Sequence, residues 1–141
     1  MATAVRSYHF NAELLKGNQD LDGDTIKAIL MGTGFVFDPE THVNLAAVSA
    51  SELATGNGYT QQNKTLANPT PTEAATSKVV WDSFEWTASG GAIGPAAACI
   101  LYNDTSADDT VVGCISFAAD KTIPDGETLR ITDPTVSETN A

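Results

Sequence analysis

Two stretches in the second half of the chain, Ala97-Ala98-Cys99-Ile100-Leu101-Tyr102 and Thr110-Val111-Val112-Gly113-Cys114-Ile115-Ser116-Phe117, are apolar at odd and even positions alike. Successive side chains of an extended strand point to opposite faces, so a run that is apolar on both parities must be covered on both sides. The pair predicts central strands of a two-layer structure. Neither run, nor any other in the chain, approaches the roughly 20 apolar residues that a membrane-crossing helix needs.

Other segments add strands around this centre. The stretch 79–86 alternates as one strand, with Val80, Phe84 and Trp86 on the face of Asp82, and Val79 and Trp81 on the face of Ser83 and Glu85. Glu127 to Thr132 alternates after the turn Pro124-Asp125-Gly126, where proline presets one dihedral and glycine tolerates positive φ. Thr25 to Met31 reads as a strand, and Phe10 to Lys16 has helical spacing closed by Gly17. Asp38-Pro39-Glu40 and Ser49 to Leu53 carry one-turn helix signals, while Ala67 to Thr76 and Ser89 to Pro95 read as loops. About eight strands with turns between them predict an all-β, single-domain β-sandwich or jelly roll with one or two short helices, spanning 1–141. The crossover helices of a parallel α/β sheet are missing. Residues 1–7 and 133–141 show no periodicity and are expected as tails that could order against a partner.

Charge narrows the partners. The 141 residues hold 18 acidic side chains against 7 Lys and Arg, a formal charge of -11, which is the wrong sign for gripping nucleic acid phosphates. The same charge favours solubility. Met1 to Arg6 lacks the apolar core of a secretory signal, so the chain is expected to fold where it is made, without a membrane partner. If 98–103 and 110–115 form a hairpin, Cys99 falls opposite Cys114 and Leu101 opposite Val112, a spacing that admits a cross-strand disulfide; in a reducing compartment the two cysteines are expected instead as buried free thiols.

Candidate chemistry is sparse. Asp20, Asp22 and Asp24 around Gly23 place carboxylates at alternate positions, as a calcium loop does, and are the candidate metal ligands. Such a loop also wants glycine at 25 and glutamate at 31, where the chain has Thr25 and Met31, so an aspartate-stabilised turn is the expectation and no metal or other cofactor is assigned. His9 and His42 lie in no nucleophile-elbow pattern, and Asp82 and Glu85 differ in strand parity. Gly32-Thr33-Gly34 and Ser89 to Gly94 lack the Lys-Ser/Thr of a phosphate loop. Trp81 and Trp86, on opposite parities, read as core rather than as a joint sugar platform. No catalytic residue is assigned, and the chain is not expected to be an enzyme.

The order of the pieces carries a resemblance. Leu14-Leu15-Lys16-Gly17 and Asp20-Leu21-Asp22-Gly23-Asp24-Thr25-Ile26-Lys27-Ala28-Ile29-Leu30 lead, past a proline-containing loop, to Gly58-Tyr59-Thr60 and Lys64-Thr65-Leu66. Trp81-Asp82-Ser83-Phe84-Glu85-Trp86, Ala98 to Asp104, Val112 to Phe117 and a strand after Gly126 complete it. Over nearly the whole chain this order resembles the capsid decoration, or cement, proteins of tailed bacteriophages. The resemblance implies a sandwich or jelly-roll protein on the outer surface of the virion, made in the host cytoplasm, that binds neighbouring major capsid subunits and braces the shell. It also implies self-association, as a homotrimer at threefold positions first and a dimer at twofold positions next. Val5, Arg6 and Tyr8, in the N-terminal segment, are the candidate partner contacts. The alternative is a receptor- or glycan-binding module of a head or tail fibre, working through Gly32 to Asp38 or Ser89 to Gly94, and a small hydrolase stands third.

Overall fold

The computed structural model describes residues 2–138. Strands take 44% of the chain and two short helices 11%, a small all-β sandwich-like domain. In chain order the elements are β1 (Ala2–Thr3), β2 (Val5–Arg6), α1 (Tyr8–Leu15), β3 (Ile26–Gly32), α2 (Leu45–Val48) followed by a single 3-10 turn (Ser49–Ser51), then β4 (Lys64–Thr65), β5 (Thr70–Thr72), β6 (Lys78–Val80), β7 (Phe84–Thr87), β8 (Ile93–Asn103), β9 (Val111–Ile123), β10 (Thr128–Ile131) and β11 (Pro134–Ser137). They form a five-stranded sheet β2-β9-β8-β3-β4, a four-stranded sheet β1-β11-β6-β5 and the pair β10-β7.

The five-stranded sheet is apolar on both faces, as its sequence requires. One face contributes Ala28, Leu30, Cys99, Leu101 and Val112 to the main core, where they meet Trp81, Trp86, Ile131 and Val136 from the smaller sheets. The other face, with Ile29, Met31, Ile100, Tyr102 and Val111, forms a second cluster covered by Phe35, Phe37 and Leu45 from the segment after β3. Burying each such large side chain is worth about 1.5–3 kcal/mol, so both layers are needed to hold the central strands.

Four expectations are corrected. The hairpin register differs by one residue: Leu101 pairs with Gly113 and Tyr102 with Val111, so β9 carries an extra residue and Cys99 meets Ile115 while Cys114 meets Ile100. This bulge reverses parity beyond it. Cys99 therefore faces the main core and Cys114 the opposite cluster, both buried and both free.

The stretch 79–86 is two strands. It crosses between sheets at 81–83, where Trp81 N–H donates to Pro134 O and Asp82 N–H to Ala67 O, at 3.0 Å each. That bend cancels the parity expected for the tryptophans, and Trp81 and Trp86 share one core at 2% and 4% exposure. Within the expected loop Ala67 to Thr76, β5 is an edge strand, a sheet position that tolerates its Pro71.

The chain ends are not tails where they are described. Ala2–Thr3 runs parallel to Pro134–Thr135, and Val5–Arg6 pairs with Cys114 and Gly113, so the N-terminal segment stitches the two sheets together. Pro134, Thr135 and Val136 are buried. The expectation for Met1 and for 139–141 falls outside the described residues.

Candidate protein-docking face on the first helix

Ser7 starts α1. Its Oγ accepts from Phe10 N–H at 3.0 Å and donates to Val111 O at 2.6 Å, so one buried hydroxyl both caps the helix and ties it to β9. Ser7 N–H donates to Val112 O at 3.1 Å and Tyr8 N–H to Pro39 O at 2.9 Å. The helix closes with Gly17 N–H donating to Leu14 O at 3.1 Å and Asn18 N–H to Glu13 O at 2.9 Å, with Gly17 at φ 82°, the paired bonds of a Schellman motif. Between these two fixed ends the helix buries Phe10 alone.

What remains is an unusual outward face. Tyr8, Ala12 and Leu15 fall at i, i+4 and i+7, and all three are exposed, Tyr8 by 58% and Leu15 by 90%. Leu14 adds a 41% exposed side chain next to it. Charge sits at the flanks: Lys16 pairs with Glu13 at 3.0 Å, and Asn18 and Lys16 together hold the Glu13 carboxyl below its ordinary value. His9 Nε2 lies 2.8 Å from Asp108 Oδ2 in the loop between β8 and β9, which steadies the helix from the side.

The three expected contact residues separate here. Tyr8 stands on the exposed face. Val5 and Arg6 are half-buried in β2, with Arg6 donating a guanidinium N–H to Glu138 O. Burial pushes the Arg6 pKa down, partly offset by Glu138. Sequence reading missed Ala12 and Leu15. Starting the helix at Tyr8, from Ser7 as its cap, would have revealed the spacing.

The aspartate cluster builds a turn. Asp20 Oδ1 accepts from Asp22 N–H at 3.1 Å and Gly23 N–H at 3.0 Å, and Asp24 Oδ2 accepts from Asp20 N–H at 3.0 Å and from Asn103 Nδ2 at 2.7 Å. Among the described residues, no three His, Cys, Asp or Glu side chains are grouped to hold a metal ion. Asn103, fully buried, also donates to Gln19 Oε1 at 2.7 Å and accepts from Thr105 N–H at 2.9 Å, fastening this turn to the end of β8.

Remaining candidates are absorbed by structure. His42 Nδ1 accepts from Asp38 N–H at 2.9 Å and its ring stacks on Phe35 at 5.1 Å. Asp82 accepts from Asn68 at 2.6 Å, and Glu85 lies 3.6 Å from Arg130 across the β7–β10 pair. Both tryptophan faces are inside the core and closed to a sugar. No described helix is long and apolar enough to cross a membrane. Compared with known proteins, the chain matches no family model, and no curated protein or solved structure matches it at a significant level.

Proposed function

We propose that this chain is a virion structural protein that decorates a phage capsid, adhering to neighbouring subunits of the shell through the outward face of α1. The observation that carries this reading is the apolar stripe Tyr8, Ala12 and Leu15 held out on a helix fixed at both ends. An apolar side chain as exposed as Leu15 is tolerated singly, but three in register on a rigid mount suit a surface that is covered in use.

The magnitudes favour a repeating partner. Burying Tyr8 and Leu15 is worth about 1.5–3 kcal/mol each, while association costs about 4–15 kcal/mol in lost freedom, so one copy on one site binds weakly. Several linked copies on a symmetric lattice turn later contacts into intramolecular ones and multiply that small gain. Self-association into a trimer, or a dimer, on the shell follows from the same need. The charge of -11 keeps free copies apart in solution until a less acidic surface receives them.

The test is occupancy. A double variant, Tyr8→Asp with Leu15→Asp, added to capsids stripped of the protein, should bind at least tenfold less at equal concentration while keeping its far-UV spectrum. Unchanged occupancy would remove α1 from the account.

A further inference from the structure

The cover on the outer face of the five-stranded sheet stops short of the corner where β2 meets β9. An open groove of about 470 Å³ remains there, lined by Phe35, Val36, Ala98, Cys114, Ser116 and Ala118 among others. The buried part of this lining, Ala98 and Cys114, is small, whereas the same face farther along carries Ile100 and Tyr102 under Phe35, Phe37 and Leu45. Val36, 80% exposed, stands at the groove and is left uncovered.

The backbone beside the groove is open as well. β2 pairs with β9 only at Cys114 and Gly113, and β8 occupies the other edge, so from Ile115 to Thr122 one edge of β9 meets no strand among the described residues. Between the pairs Ala98↔Ser116 and Ala96↔Lys121, β8 advances two residues and β9 five, with Ala118 at φ 65° and the positions 118–122 exposed. A free edge offers N–H and C=O groups to an added extended chain, and small pockets beside it accept alternate side chains.

Charge selects among occupants. Asp120 is the one charged residue lining the groove, and Asp38 and Glu40 flank its lining residue Pro39 in sequence; Lys121 is the single cation adjoining in β9. A second copy would bring a further charge of -11, whereas a cationic segment is complementary.

We infer that this groove docks an extended segment of a partner protein bearing lysine or arginine, which adds along the free edge of β9 and seats small apolar side chains over Ala98 and Cys114. Under the proposed function that segment belongs to the capsid subunit. The partner's identity rests on that reading; the preference of the groove does not.

A capped peptide alternating lysine and valine is the probe, titrated into the isotopically labelled full chain at low salt. Amide signals of Val5, of 34–38 and of 115–120 should shift together, and raising the salt should weaken binding at least tenfold. Asp120→Lys and, separately, Ala119→Lys, both at exposed positions, should weaken it by a similar factor, while Leu15→Asp on α1 should leave it unchanged. Equal binding of a glutamate–valine peptide, or no shift at these amides, overturns the inference. So does a concentration-dependent dimer whose formation moves the same signals, since the occupant would then be a second copy. Because α1 variants alter capsid occupancy and groove variants alter peptide binding, failure of one reading is separable from failure of the other.

Discussion

Replacing Tyr59 by phenylalanine removes one oxygen from the centre of the sandwich, and the cost follows from its two partners. The Tyr59 hydroxyl accepts from Leu30 N–H at 2.9 Å and donates to Glu52 Oε2 at 2.7 Å, with Tyr59 only 2% and Leu30 0% exposed. In the variant the Leu30 N–H is buried without an acceptor, worth about 1–3 kcal/mol. The Glu52 carboxylate loses the bond it accepts from the Tyr59 hydroxyl, worth about 1.5–3 kcal/mol, although its Oε2 keeps Gln62 N–H at 3.1 Å, which places this share at the low end. The sum is about 3 kcal/mol, a substantial part of the roughly 5–15 kcal/mol that holds a domain of this size. Trp86, whose ring centroid lies 5.9 Å from that of Tyr59, reports on the site by fluorescence. With a urea slope of about 2 kcal/mol/M, the midpoint should fall by about 1.5 M at unchanged slope. Burial is the main force pushing the Tyr59 pKa up, with Glu52 adding to it, so the hydroxyl stays protonated and the loss should be the same in neutral and mildly alkaline buffer. A fall below about 0.3 M would refute the claim that this hydroxyl links the loop after the 3-10 turn to β3.

Three further outcomes follow from the same geometry. Gly113→Ala would set a Cβ 2.6 Å from Val5 O and 3.1 Å from Ala4 Cβ, so it should cost about 1–3 kcal/mol and strip hydrogen-exchange protection from β2, whereas retained protection there would contradict the pairing. Burial pushes the Asp108 carboxyl up, but bonds from Thr110 and His9 outweigh it and the net pKa lies below the ordinary value; a depressed acid stabilises above the unfolded value near about 3.9 and loses that contribution as pH falls through the folded one. Asp108→Asn should therefore flatten the acid limb of a pH–stability curve, and an unchanged limb would contradict this. Burial drives the Cys99 thiol well up and the Cys114 thiol to about 12, so a thiol reagent at mildly alkaline pH should find no reactive thiol in the native chain and both in denaturant; native labelling of Cys99, or an internal disulfide by mass, would contradict the two-faced placement.

How far the sequence reached depends on how much chain each element needs to show a pattern. β8, β9 and β10 were readable because each repeats its alternation, or its two-sided apolar run, over several residues. Gly17 as the stop of α1 and the aspartates as a turn were readable because each signal is local. β1, β2 and β11 were not: two residues carry no period, Pro134-Thr135-Val136-Ser137 has Val136 as its only apolar residue besides the proline, and all three owe their pairing to distant partners such as Thr135, Gly113 and Val79. The bulge at Gly113 has no sequence signature separable from an ordinary strand glycine, yet it decides which face each thiol takes. The exposed stripe of α1 was half visible: Tyr8 was singled out, but Ala12 and Leu15 were not, because the helical spacing was read from Phe10 rather than from Ser7 as the cap.

Placement of the protein on the particle is the direct test of its proposed work. A cryo-electron microscopy reconstruction of the virion should show copies over the outside of the head at symmetry-related positions, each with α1 turned toward the shell and Tyr8 and Leu15 at the contact. Density at the tail or fibre tips, or copies on the head with α1 facing solvent, would contradict the account.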